Sequence, residues 1–423
     1  MTLHLYLDSI KALNRNMKLY IASLVLFNVS WSINEVLYSL YLQNLGFDNT
    51  HIGRIIAMFF WAAIFFGIPM GILSDRIGRR KGLLLGLAAC AVTAMMRIFL
   101  VHPATLLVSN FLYGTAALLY SVSLSPFVAE QVNPRHRTII FPIISAVQMG
   151  VAVLGFSFGG ILPDLLYNQG IVLMLGQRYT LVLGTLFSAL SMIPILRIAE
   201  SQPSMEDSQE EEAAQGSAHT VSSPQKKRRW QLPPSTELQA IMRIVLPTLI
   251  NSAGAGMVIP FVGLFLRAQH NASTTQIGLI QALGQLSIVI ATVLGPFVVS
   301  KLGLVQSVSL LQLLSVPFLL LLANSPWLSM ALVGLLLRGG LMNAATPMVI
   351  NLQMNQVSAG YRGLAVSCVD MANSLGRAAV LGLAGTISQS HGFPFVYNIG
   401  AAFYFTAALL FYVLNRNATS NQE

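Results

Sequence analysis

Long apolar runs separated by short polar breaks constrain this chain more than any other feature. Six lie near 19–42, 52–74, 81–101, 104–128, 138–161 and 179–198, and six more near 241–267, 276–300, 303–323, 326–350, 363–387 and 393–414. Each is long enough to cross a bilayer as a helix, which takes about 20 residues. Backbone polar groups in lipid must be satisfied within the segment, so apolar runs of this length are read as helices. Only 9% of the residues are charged, against roughly a quarter in a soluble domain. The expected fold class is therefore an all-α membrane protein with twelve transmembrane helices. The first run, preceded by Asp8, Lys11, Arg15 and Lys18, reads as an uncleaved span and not a signal peptide.

An even number of spans places both termini on one side, and charge decides which. That side carries Lys11, Arg15, Lys18, Arg76, Arg79, Arg80, Lys81, Arg135, Arg137, Arg197, Lys226, Lys227, Arg228, Arg229, Arg243, Lys301, Arg362 and Arg416, 18 of the 24 Lys and Arg. An excess of cations marks the cytoplasmic side, so a multi-pass protein of the inner (plasma) membrane with cytoplasmic termini is expected. The net charge of +9 is then directed at anionic lipid headgroups and not at nucleic acid. Cys90 and Cys368 fall inside apolar runs, so two free, buried thiols are expected and no disulfide framework.

The chain repeats itself. Gly53 and Gly278, Gly78 and Gly303, Gly114 and Gly339, Arg137 and Arg362, and Gly160 and Gly385 are all 225 positions apart (278 − 53, 303 − 78, 339 − 114, 362 − 137, 385 − 160). A constant ungapped offset across several spans indicates duplication of a six-span unit in the same orientation. The expected organisation is a six-helix bundle over 1–199, a cytoplasmic linker over 200–239 and a second bundle over 240–423. The linker is acidic at Glu210-Glu211-Glu212 and basic at Lys226-Lys227-Arg228-Arg229. Its composition supports no core, so it reads as a disordered tether whose basic end anchors at the membrane surface.

Between the second and third runs lies Gly71-Ile-Leu-Ser-Asp75-Arg76-Ile-Gly78-Arg79-Arg80. It resembles the G-x-x-x-D-R-x-G-R-R loop of the major facilitator superfamily, with every fixed position filled. The second-half copy is eroded, Ser300 and Lys301 standing where the first half has Asp75 and Arg76. The resemblance implies two six-helix bundles related by a pseudo-twofold axis and rocking about a central cavity lined by helices 1, 4, 7 and 10. It also implies that Asp75 caps the start of helix 11 in the outward-open state, while the arginines of the turn reach an acid at the end of helix 4, Glu130 being suitably placed. The competing reading of the motif is stability of the turn alone, with Ser74 and Asp75 accepting from free helix-end amides.

Charges inside the spans need a reason, since each costs about 2.5–3.5 kcal/mol to insert. Glu35 shares a helical face with Asn28, Trp31 and Tyr38, which the resemblance turns toward the substrate path. The carboxyl group is a candidate proton carrier; the alternative is a permanent structural ion pair. Arg338, at the repeat position of Tyr113, is its expected countercharge or an anchor for an anionic substrate group, with Asn343 close by. Asp370, Asn373 and Arg377 share a face of span 11 and read as a polar seam between the halves or as a proton relay. Arg54 and Arg97 are expected to snorkel to the surface. Pro69, Pro126, Pro142, Pro247, Pro260 and Pro347 mark bends or static kinks.

Span 5, with Gly150, Gly155, Gly159 and Gly160, is similar to the G-P-x-x-G-G motif of bacterial drug and metabolite proton antiporters, although Phe156 replaces the proline. The antiporter motif of span 4, R-x-x-q-G, appears as Asn110 to Gly114 without its arginine, which leaves Arg97 or Arg338 to supply that charge. The expected function is a monomeric secondary transporter of a small organic solute by alternating access, coupled to protons as an exchanger. Proton-coupled uptake and a transport-inactive sensor are the alternatives. No phosphate loop, zinc helix motif or nucleophile elbow is present, so no enzyme, cofactor or metal is expected. His51, His102, His270 and His391 are placed outside the spans. Replacing Asp75 with Asn is expected to abolish transport while leaving expression intact, tested by flux measurements alongside immunoblots of the membrane fraction; normal flux would reduce the motif to turn stability.

Overall fold

A computed structural model describes residues 13–132, 134–199, 234–358 and 360–416. Among these are twelve helices of membrane-crossing length and apolarity: α1 (Arg15–Asn44), α2 (Asn49–Ile77), α3 (Arg79–Phe99), α4 (Pro103–Gln131), α5 (Pro134–Asn168), α6 (Leu173–Leu196), α7 (Ser235–His270), α8 (Thr274–Leu302), α9 (Leu304–Ala323), α10 (Leu328–Gln356), α11 (Arg362–His391) and α12 (Phe393–Asn415). Most of the expected linker, residues 200–233, lies outside the described residues. Most helices overrun the apolar runs that announced them, α5 to Asn168 and α10 to Gln356. A helix does not end where the hydrocarbon ends; it ends where its backbone is capped.

The caps repeat along with the sequence. Asp48 starts α2 by accepting from the His51 amide at 2.7 Å, and Ser273, 225 positions later, starts α8 by accepting from the Gln276 amide at 3.2 Å. The hydrogen bond from the His51 amide holds the Asp48 carboxyl below the usual carboxylate range. Gly78 and Gly303 join α2 to α3 and α8 to α9 with φ of 89° and 81°, where a side chain would be strained. Pro69, Pro126, Pro142 and Pro247 sit inside unbroken helices, whereas Pro260 lies in a 3₁₀ break at Ile259–Phe261 and Pro347 follows a break at Ala345. The expected burial of both thiols holds for Cys90 alone; Cys368 is half-buried. It lies between Ser367 and Asp370, which face an open cavity.

The two halves meet mainly through α2 against α11 and α5 against α8, with the tail of α7 resting on α1. These contacts concentrate on the face opposite the termini, and they are the same contact made twice. A Cβ at Gly53 would lie 2.3 Å from the Leu381 carbonyl oxygen, and one at Gly278 would lie 2.5 Å from that of Phe156. A Cβ at Gly385 would lie 2.1 Å from the Asn49 oxygen, and one at Gly160 would lie 2.8 Å from that of Thr274. Every residue of the first member of each pair maps onto the second by the offset of 225, once the halves are exchanged. Such backbone approach gives close packing in lipid, where no hydrophobic force draws helices together.

Polar bonds at helix ends fasten this face further. Asp164 Oδ2 of α5 accepts from the Thr275 amide at 2.7 Å, and Gln389 Oε1 of α11 accepts from the Asn49 amide at 3.3 Å. Asp164 and Gln389 are again 225 apart. Each half thus caps the first turn of a helix in the other, where free amides and the helix dipole favour an acceptor. On the terminal face, α2 and α11 part, and an opening forms between the halves. Gly53→Ala and Gly278→Ala are expected to destabilise the closed face by about 1–3 kcal/mol, while Gly67→Ala, with nothing within 4 Å of its Cβ, serves as control. Spin labels on cysteines introduced at His51 and His391 will report this as a longer distance in the first two variants and not in the third; equal distances throughout would mean the glycine contacts do not hold the face shut.

Candidate functional site

The opening leads into two joined chambers. A vestibule of about 1180 Å³ is walled by the last turns of α2 from Ala63 to Gly71, by Asn28 and Gln148, and by Ser367 to Arg377 of α11. It passes into a deeper chamber of about 510 Å³, and Trp31, Phe59, Phe60, Arg338, Asn343 and Arg377 belong to both walls. A volume of this order suits a small organic molecule. Asn28, Trp31, Glu35 and Tyr38 of α1 all face this space, as their shared helical face requires. The repeat equivalent of Glu35 is Pro260, in the break of α7, which also lines the deep chamber. Proline has no N–H to donate there, so the break brings backbone into the wall opposite the carboxylate.

Glu35 is accessible from the cavity, and among the described residues no cation lies within 4 Å of it. Its electrostatic partners are the Arg377 guanidinium and the indole of Trp31 one turn earlier. Arg338, expected as its countercharge or as an anchor for an anionic substrate group, makes no ion pair with it among the described residues. Arg338, 4% exposed, donates from Nη2 to the Tyr404 hydroxyl of α12, its guanidinium 4.9 Å from that ring's centre. The turn of α10 directs it into its own half, whereas Arg377 of α11 crosses to the other, with its guanidinium 5.5 Å from the centre of the Phe60 ring.

The expected polar seam is not a closed one. Asn373 accepts from Ser252 Oγ at 2.5 Å within its own half, and Asp370 is exposed in the vestibule. Only Arg377 of the three reaches the opposite half, since the seam between halves is made by backbone at the glycines. Asn343 bonds back to the Gly339 carbonyl at 2.9 Å while facing both chambers.

Arg97 is the residue that sequence reasoning misplaced. Instead of snorkelling, it is 4% exposed and donates to Asn34 Oδ1 at 2.9 Å and Asn110 Oδ1 at 3.2 Å. Its guanidinium lies 3.6 Å from the centre of the Tyr113 ring and 4.4 Å from that of Tyr38. Asn110 in turn donates to the Tyr38 hydroxyl at 2.6 Å. Asn110 occupies the position where the span 4 motif has its arginine, and it accepts from the Arg97 guanidinium of α3. A signal was present: Gly86, Cys90, Thr93, Ala94 and Arg97 share one face of α3, a face of small residues that is buried. Gln281 and Gln285 of α8 also line the deep chamber; their spacing of four puts both on one face of an otherwise apolar span. Arg54 is exposed near the start of α2.

At the terminal face, the turn Gly71–Arg80 is tied into its own half. Arg79 bonds to Asp75, to Ser74 Oγ at 3.3 Å and to Glu130 Oε1 at 3.4 Å, and Arg80 Nη2 donates to the Leu196 carbonyl at 2.7 Å. Ser74 and Asp75 therefore do not cap α3, which begins without a side-chain cap; both are taken up by Arg79. Asp75, Arg76 and Gly78 are exposed, and Asp75 engages Arg79 in place of α11 in this pose. His51, His270 and His391 lie in the first or last turns of helices that extend past the apolar runs.

Comparison with known proteins places this architecture. The description Major Facilitator Superfamily matches residues 19–243 and again 244–423. An uncharacterized MFS-type transporter of Methanocaldococcus jannaschii is 24% identical over 174 residues, a match spanning 39% of this chain and 44% of that one. Solved structures superpose over nearly the whole chain. The nucleoside transporter NupG does so with a TM-score of 0.72 and 16% identity, covering 95% of this chain and 99% of the other. An autoinhibited POT family peptide transporter gives 0.74 and 14% over 95% and 97%, and a D-xylose–proton symporter gives 0.70 and 16% over 96% and 97%. At these identities the likeness is one of fold. Since the family match covers both repeats, and the repeats build two six-helix halves around a shared cavity, the chain belongs to the Major Facilitator Superfamily of membrane transporters and is not an enzyme.

Proposed function

We propose that the protein is a secondary active transporter that carries a small organic solute across the inner (plasma) membrane by alternating access, with Glu35 as the proton-coupling group. The observation that carries this reading is a chamber at the junction of two pseudo-symmetric halves, sealed on one face by backbone contact and open on the other. The charge asymmetry of the sequence supports cytoplasmic termini, and with that orientation the open face is the inward one. Parting the glycine contacts and the Asp164 and Gln389 caps opens the other face. The walls of the vestibule then close, bringing Asp75 toward the start of α11.

A proton coupler must be reachable by water, and its charge must matter to the site. Glu35 meets both conditions, facing the cavity and sharing its field with Arg377. The exchange reading expected from the glycines of span 5 has proton and solute competing for one site. Glu35 and Arg377 line the same chamber, which supports co-transport instead: an ionised Glu35 offsets the charge of that guanidinium, and a protonated one leaves it to the solute. Proton and solute then favour the same state, and such coupling is reciprocal.

Glu35→Gln is expected to remove the pH dependence of ligand-induced thermal stabilisation, measured at two pH values against a panel of metabolites and drugs. It is also expected to leave flux in proteoliposomes unresponsive to an imposed proton gradient. A variant that keeps its pH response moves the coupling to another residue, and a wild-type protein with no flux of any kind favours the transport-inactive alternative.

A further inference from the structure

The deep chamber holds more positive charge than the protein neutralises. Its charged wall residues are Arg97, Arg338, Arg377 and Glu35, an excess of two cations (3 − 1). Arg97 and Arg338 are each 4% exposed, and all three arginines leave a buried Nε–H without an acceptor. The side chains they touch are neutral: Asn34, Asn110 and Tyr404 accept from them, and tyrosine and phenylalanine rings cover them. Among the described residues no carboxylate lies within 4 Å of any of them. Asparagine and ring contacts orient a guanidinium but do not cancel its charge, and a buried, unpaired charge is strongly destabilising. The guanidinium fork matches paired oxygens of a carboxylate or phosphate.

We infer that the transported solute is a small organic anion with an apolar, planar-compatible body. Its anionic oxygens are held by Arg97 from the N-terminal half and by Arg338 or Arg377 from the C-terminal half, and its body lies against Trp31, Phe59 and Phe60. This rests on the transporter reading above and adds the substrate class to it. Because the anion is held from both halves, it draws them together as the pose changes. The proton has a defined part as well. The titratable groups that share the chamber with Glu35 are Tyr38 on its own helix, Arg97 on α3, Tyr113 on α4, Arg338 on α10 and Arg377 on α11; α2, α7 and α8 contribute no titratable side chain to its wall. A proton on Glu35 raises the cationic excess from two to three, so the anion binds more tightly when Glu35 is neutral and the two travel together.

The test uses the purified full-length protein and five probes of similar shape: benzoate, phthalate, phenyl phosphate, benzamide and benzylamine. Thermal stabilisation is expected from one or more of the three anions, more strongly at the lower of two pH values, and from neither benzamide nor benzylamine. The larger response among carboxylates and phosphate names the preferred group. Arg97→Gln and at least one of Arg338→Gln and Arg377→Gln are expected to weaken the anion response by about tenfold to hundredfold, the usual worth of a hydrogen bond to a charged group. If a glutamine variant does not fold, the lysine variant replaces it; it keeps the charge, loses the fork and is still expected to bind the anions more weakly.

Stabilisation by benzylamine that matches the anions, arginine variants that respond as the wild type does, or no response to any anion would each overturn the inference. Flux in proteoliposomes separates the two layers. Proton-driven movement of benzamide or benzylamine without any anion response removes the substrate class and leaves the transporter standing, whereas anion binding without flux supports the anion site and counts against transport.

Discussion

Backbone touching backbone at four glycines is the contact on which the rest of this architecture depends. At Gly53, Gly160, Gly278 and Gly385 an added methyl group would lie 2.1–2.8 Å from atoms of the opposite half, closer than packed atoms approach. Two helix pairs pressed together at one end and free at the other form a seal with a mouth. The cavity, the vestibule and the exposure of Glu35 all follow from that geometry. The glycines let backbones meet directly amid a buried apolar cluster that joins Leu40, Ile52 and Phe156 to Phe261, Ile277 and Leu381, and small residues hold helices together in lipid by close approach.

Duplication supplied a symmetric frame, and the chemistry was placed on it unevenly. Equivalent wall positions carry Glu35 and Pro260, Tyr113 and Arg338, and Phe60 and Gln285. The first half contributes the carboxylate and most of the aromatic surface; the second contributes two of the three guanidinium groups and both glutamines. The arginine on the first half arrives by a different route, from α3 through Asn34 and Asn110. The same asymmetry governs the loop between α2 and α3, whose charged partners all lie in its own half here, while Ser300 and Lys301 stand in the second-half copy. In the pose seen, the terminal face is open and the opposite face holds the trans caps of Asp164 and Gln389. The inter-half fastenings in this pose are therefore confined to the face opposite the termini.

Much of the fold was legible in the one-dimensional pattern. Lipid forces every spanning segment to satisfy its own backbone, so the apolar runs alone determined twelve helices, and the offset of 225 determined that they come as two copies. The face of α1 bearing Asn28, Trp31, Glu35 and Tyr38 was legible as well, because helical spacing puts those residues on one side whatever lies opposite. The ends of the helices were less so, since α5, α7 and α10 run past the hydrocarbon to caps that hydropathy does not register.

What only the tertiary structure decided is how each charge is partnered. Arg97 is a few residues from the end of its span, and by sequence that distance suggests an escape to the surface. Asn34 and Asn110, on two other helices, turn it inward. The partners of Arg338 and Arg377 were set in the same way: the rotation of α10 offers Tyr404 of its own half, and the rotation of α11 offers Phe60 of the opposite half. Hydropathy and periodicity depend on a helix and its solvent, so the chain sets them locally. The partner of a buried charge depends on the relative rotation and depth of several helices, and those are set only when the helices pack.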